Sequence, residues 1–129
     1  MKSFIDQLTD TDQTQVNKMR KLVLRHDKAV DEKPGKIMQA KDAVCYTEDG
    51  VFKYGLARTS KGVTFHSMVM YANPEIAAFA KKNLKNVKFQ KGCFNIADLA
   101  NFDLDRFDEM MRISAATDFS PVIAQYKNK

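Results

Sequence analysis

VFKYGLARTSKGVTFHSMVMYANPEIAAFAKKNLKNVKFQKGCFNI, residues 51–96, decides the fold of this chain. Its first half is two strand-length runs bounded by short turn signals. VFKYGLAR at 51–58 follows Asp49-Gly50, a pair that readily adopts the positive backbone angles of a tight hairpin turn, and AVCYTE at 43–48 precedes it. TSKG at 59–62 makes a second turn and VTFHSMVM at 63–70 a third strand. Strands joined by turns this short run antiparallel, as a meander. In the second half Asn73-Pro74-Glu75 opens a helix: Asn suits the cap, Pro the first helical position, and Glu the positive end of the helix dipole. Ile76, Phe79, Ala80 and Leu84 give that helix its apolar stripe. Val87 and Phe89 then alternate with Lys88 and Gln90 as an edge strand, and Gly92 bends the chain into CFNI at 93–96.

Outward from this stretch the pattern is helical. Phe4, Ile5 and Leu8 suit a short first helix. Thr9 is placed to cap a second, along which Val16, Met19, Val23 and His26 recur at helical spacing. DEKPGK at 31–36 reads as a loop, because Pro34 and Gly35 punctuate regular structure. Asp103 is placed to cap a helix with Leu104, Phe107, Met110 and Met111 on its buried stripe, and Ser120-Pro121 starts a terminal turn. Helices, then strands, then helix, strand and helix predict one α+β domain over residues 1–129, an antiparallel sheet of about five strands with helices mainly on one face.

Composition narrows the class. Of 129 residues, 44% are hydrophobic and 29% charged, a globular balance whose short apolar runs span no bilayer. MKSFIDQLTDTD carries acids where a secretion signal needs an apolar core, so the chain is expected in the cytoplasm. There the two cysteines, Cys45 and Cys93, are expected as reduced, buried thiols; a disulfide is compatible with the sequence but not needed. The net charge of +5 suits phosphate-bearing partners, and KKNLKNVKFQK at 81–91 concentrates Lys81, Lys82, Lys85, Lys88 and Lys91. That patch has no Arg and only Phe89 for stacking, which argues against nucleic acid and for a lysine-protected strand edge. Gly-rich phosphate loops, nucleophile elbows and zinc spacings do not occur, so an enzyme is not the expectation.

FKYGLA, VTFHSMVMYANPEI and FQKGCFNI, in that order, resemble the YdhG-like family, a domain of unknown function. The likeness covers the middle third of the chain and extends more weakly to FIDQL and to the C-terminal helix. It implies a compact α+β domain related in shape to frataxin, and one branch of the family is regarded as a frataxin-like iron chaperone. By that resemblance iron delivery is the alternative function, with iron as the cargo.

Iron delivery needs clustered carboxylates, hard oxygen donors that hold the ion loosely. Asp6, Asp10 and Asp12 form one acidic group and Asp27, Asp31 and Glu32 another, both interrupted by cations. The alternative metal site is Asp103, Asp105, Asp108 and Glu109. Acids in a first helical turn also simply stabilise the helix, by about 0.3–1 kcal/mol each, and that is the stronger reading of this group.

The third strand offers the other site. Val63, Phe65, Ser67 and Val69 alternate with Thr64, His66, Met68 and Met70, and both sets are substantially apolar. If helices cover only one face, the second is a ligand floor or a homodimer surface; the competing expectation is that SPVIAQY covers it. The leading expectation is a non-enzymatic binding domain that holds a small molecule or a protein on the sheet at His66, Met68 and Met70, with Tyr46, Tyr54 and Tyr71 as neighbours. Cys45 and His66 would make a nucleophile pair only if their strands met, and no third orienting group is visible, so a buried Cys and a buried His are preferred.

Overall fold

The computed structural model describes residues 2–128. A short 3-10 turn at Phe4–Gln7 leads into α1 (Asp10–His26). Four strands follow in a row: β1 (Asp31–Ile37), β2 (Ala40–Glu48), β3 (Val51–Thr59) and β4 (Gly62–Ser67). After α2 (Met68–Ala72) and α3 (Pro74–Asn83) come β5 (Val87–Gln90) and β6 (Cys93–Ile96), and α4 (Leu104–Ala116) and α5 (Ser120–Lys127) complete the described chain. The strands form one antiparallel sheet in the order β1-β2-β3-β4-β6-β5. The α+β class is as expected, and the sheet has six strands where about five were predicted.

The additional strand is β1, the DEKPGK segment expected as a loop. It pairs with β2, with Pro34 opposite Val44. An edge strand leaves alternate N–H groups facing solvent, so proline is tolerated there at no cost in ladder bonds. Glu32 fixes the strand from its inner face. Arg20 on α1 clamps that carboxylate through Nη2 (2.7 Å) and Nε (3.1 Å), and the Tyr46 hydroxyl donates to it at 2.5 Å. Burial pushes the Glu32 carboxyl up, but the bonds from Arg20 and Tyr46 outweigh it and hold the group below its ordinary range.

The predicted turns and most caps are present. Asp49 and Gly50 have φ of 53° and 77°, both positive as a tight hairpin turn requires. Thr9 accepts from the Asp12 amide and Asp103 from the Arg106 amide. Asn73 departs from expectation: it sits at the cap position, but its side chain donates back to the Val69 carbonyl and caps nothing ahead of it.

The third strand ends early. Val63, Phe65 and Ser67 point inward and are buried, as the alternation predicts, but at Ser67 the chain turns into α2. The Ser67 hydroxyl accepts from the Met70 amide at 3.0 Å, which makes the serine a helix cap. Met68 and Met70 are therefore helical residues and do not continue the outward face of β4.

Each of the five helices contributes buried residues to one core with the inward-facing side chains of the sheet. Phe65 meets Phe107 of α4 edge-on at 5.0 Å and lies beside Tyr54 and Phe94, and Phe94 stacks against Phe102. Such ring pairs add about 0.5–1.5 kcal/mol each to the burial of their surface.

A bulge organises this face. Tyr46 pairs with Tyr54 and Thr47 with Phe52, so Lys53 is left over between two paired residues. Regular alternation would send Lys53 to the opposite face from Tyr54; the bulge turns it inward, to 2% exposure. Its Nζ lies 2.7 Å from Asp27 Oδ2 and 2.7 Å from Glu48 Oε1, and 4.9 Å from the ring centroid of Phe119. Asp27, at the end of α1, also accepts from the Tyr54 hydroxyl at 2.8 Å. One ammonium thus joins α1, β2, β3 and the entry to α5.

Two stability predictions follow from these contacts. Lys53→Met keeps the bulk but strands Asp27 as a buried, unpaired charge, and should cost about 3–5 kcal/mol in urea denaturation; adding Asp27→Leu should recover most of it. A Lys53→Met protein as stable as the parent would show that the ion pair holds nothing together. Ser114 on α4 is fully buried, and its hydroxyl has no hydrogen-bond partner among the described residues. Ser114→Ala removes an unmet polar group and should raise stability by about 1 kcal/mol, read in the same experiment.

Candidate functional site

With the helices on one face, the outward residues of the central strands form the second. Register places them in rows. Cys45 lies opposite Gly55, Gly55 opposite His66, His66 opposite Cys93, and Cys93 opposite Gln90. Beside that row, Ala57 lies opposite Thr64, Thr64 opposite Asn95, and Asn95 opposite Lys88. The centre of this face is built from small side chains and one imidazole.

Gly55 shapes one side of it. A Cβ there would fall 2.3 Å from Ile37 Cδ1 and 2.8 Å from Phe52 Cζ, so the missing side chain lets both reach in over the strand. Phe52 is on this face because of the bulge that turned Lys53 inward. Past Ile37 the face falls away into a depression of about 650 Å³. Its floor includes Ala57, Thr64, His66 and Asn95. The β1–β2 turn, with Met38 79% exposed, forms one side, and Gln90 and Lys91 form the other. No residue of α5 lines it, so SPVIAQY leaves this depression uncovered.

The polar groups of the floor are few. The Thr64 hydroxyl donates to Asn95 Oδ1 at 2.5 Å, which leaves the Asn95 Nδ2 hydrogens without a partner among the described residues. His66 is half-buried, and no described side chain hydrogen-bonds its ring. Burial holds the imidazole below its ordinary range, so it is neutral near pH 7. Burial pushes both thiols up. Cys45 and Cys93 are free, and the Cys93 thiol donates to Gln90 Oε1 at 3.5 Å.

A thiolate nucleophile needs the opposite arrangement, with a lowered thiol beside a charged imidazole. Cys45 and His66 also stand two strands apart with Gly55 between them, about 9–10 Å by strand spacing, so the pair raised by the sequence does not form.

The other expected site residues separate. Tyr46 and Tyr54 lie on the inward face, fully buried, and their hydroxyls are held by Glu32 and Asp27. Met70 is 3% exposed in the core, and its accessible edge, with that of Tyr71, borders a different depression of about 330 Å³ beside α3. Met68 borders a third, about 440 Å³, near the β2–β3 turn and α5. Met68 and Met70 leave the face because the Ser67 cap ends the strand alternation, and Tyr46 and Tyr54 leave it because their pairing beside the bulge turns both inward. Of the six, only His66 reaches the depression on the open face. Asn95 was missed although its signal was available, as a polar residue between apolar neighbours in CFNI.

The acidic residues do not gather into a metal site. Asp103 caps α4, Glu109 pairs with Arg106 at 3.0 Å, and Asp108 is bonded to His26. Asp27 and Glu32 are held by Lys53 and Arg20. Among the described residues no group of three or more His, Cys, Asp or Glu is arranged to hold a metal ion. The lysine patch divides between the end of α3 and β5, which is a sheet edge as expected, and Lys91 Nζ rests 4.8 Å from the centroid of the Tyr71 ring. No helix among the described residues is long and apolar enough to cross a membrane.

Comparison with family models, with characterised proteins and with solved structures finds no match to the chain.

The depressed imidazole has a consequence for stability. The unfolded chain takes up the His66 proton first as the pH falls below about 6.5, so acidification through that point favours unfolding. His66→Gln should remove this component. Urea denaturation at about pH 7.5 and about pH 5.5 should show a smaller loss of stability in the variant than in the parent, and equal losses would assign the pH dependence to other groups.

Proposed function

We propose that this chain is a non-enzymatic, cytoplasmic binding domain of the YdhG-like kind, and that it holds a small molecule on the open face of its sheet beside His66. The observation that carries this reading is the 650 Å³ depression, bounded by two turns and floored by Ala57, Thr64, His66 and Asn95. Ligand sites are typically concave, mostly apolar and equipped with a few polar groups that orient the guest. This depression has that character, with a neutral imidazole and a free amide as its orienting groups. Its concavity favours a small molecule over the protein partner or second copy that a flat sheet face would suit. The thiols, raised by burial, favour binding over thiolate catalysis. The layering of helices on one side of an antiparallel sheet is in keeping with the frataxin-related shape that the resemblance implies.

Amide NMR tests the reading with naphthylacetamide, a neutral bicyclic probe. Binding in the millimolar range or tighter should shift the Ala57, Thr64, His66 and Asn95 resonances and leave α1 and α4 in place. Shifts that cluster on the helical layer, or no shifts with this probe and its charged analogues, would overturn it.

A further inference from the structure

We infer that the ligand of the open-face depression is a small organic anion, with its apolar body against the β1–β2 turn and its negative head toward the basic rim and the Asn95 amide. This rests on the reading of the depression as a ligand site and adds the chemistry of the ligand. Among the described residues, every charged residue that lines the depression is a cation, namely Arg58, Lys61 and Lys91, and no carboxylate lines it. Lys61, in the β3–β4 turn, is exposed and makes no ion pair among the described residues; Arg58 is likewise exposed and in no ion pair, but it sits opposite the inward-facing Val63 and borders the depression only from the end of β3. The edge strands add to the field. Lys33 lies opposite Cys45 and Lys88 opposite Asn95, register positions that place both lysines on the open face.

Of the acids on or beside the sheet, Asp31 lies on the open face opposite Thr47, two residues from Lys33 and away from the residues that line the depression, and others are engaged elsewhere. Glu32 and Glu48 face the helical layer, where Arg20 and Lys53 hold them, and Asp49 pairs with Lys127 at 2.7 Å. The inner face of the sheet is therefore ion-paired, whereas the lining of the open-face depression carries cations and no acid among the described residues. Low-dielectric walls concentrate such a field within a concavity and raise the local concentration of anions. At the floor, the Asn95 Nδ2 hydrogens are donors without an acceptor among the described residues, which suits a carboxylate or phosphate oxygen. Ile37 and Met38 supply apolar contact at the opposite side. A cation would face three like charges with no acid to receive it, and a neutral ligand would leave the rim unused.

A matched series tests the charge. Naphthylacetate, naphthylacetamide and naphthylethylamine share one ring system and differ in the sign of the head. Titrated separately and followed by the amide resonances of Ala57, Thr64 and Asn95, the acetate should bind about tenfold tighter than the amide, and the amine weakest. The double variant Arg58→Gln/Lys61→Gln should weaken the acetate about five- to tenfold and leave the amide within about twofold. A control, Lys18→Gln/Lys21→Gln, removes the same charge from exposed positions on α1 and should leave both unchanged. If the amide binds in the depression as tightly as the acetate, or if the control weakens the acetate as much as the rim variant does, the anion inference falls and the ligand site stands. If none of the three shifts those resonances, the ligand site falls as well.

Discussion

A lysine that is 2% exposed sets the architecture of this protein. Removing an ammonium from water costs several kcal/mol unless its partners are placed to receive it. Lys53 meets that requirement with two carboxylates from separate elements, Asp27 at the end of α1 and Glu48 near the end of β2. The arrangement is demanding because the lysine reaches its partners only through the bulge in β3. The same irregularity that buries Lys53 brings Phe52 to the opposite face, where it approaches Gly55 beside Ile37. One extra residue in a strand thus decides what lies under the helices and which ring lies over Gly55 on the open face.

The polar contacts of the inner face cooperate with the aromatic core and do not replace it. The Arg20–Glu32–Tyr46 cluster ties α1 to the edge strand β1, and the Lys53 cluster ties it to the middle of the sheet. Between them Phe65, Phe94, Phe102 and Phe107 supply contacts that any apolar surface could offer. The ion pairs select which face receives the helices, because only that face offers Asp27 and Arg20 their partners. Charge left unpaired on the outer face follows from the same selection.

Much of the fold was legible in the sequence because it rests on local chemistry. Asp49-Gly50, Thr9 and Asp103 act within a few residues of themselves, and the structure places them as turn and caps. Pro34 and Gly35 misled because the cost of a proline depends on whether its strand lies at an edge, which is a property of the assembled sheet. Met68 and Met70 misled because Ser67 can continue a strand or cap a helix, and its own alternation does not choose between them. Tyr46 and Tyr54 required the bulge to be known. His66 was placed correctly on the outward face because β4 is regular from Val63 to Ser67, and the depression around it depends on turns from distant parts of the chain.

The strand order carries a consequence for how the protein assembles. β1 to β4 are neighbours in sequence and in space, so each pairing closes only a short loop. The seam between β4 and β6 is different: Thr64 and Asn95 are 31 residues apart, and α2, α3 and β5 lie between them. Loop-closure entropy grows with separation, which makes this the costly pairing and the one that raises the contact order of the domain. Thr64, Asn95, His66 and Cys93 all lie along that seam. The meander alone therefore presents half a floor, and the pocket comes into being only when the last distant strand zips into place. Occupancy of the site would act back on that step, since a guest that touches both sides of the seam adds its binding energy to the closure of the sheet.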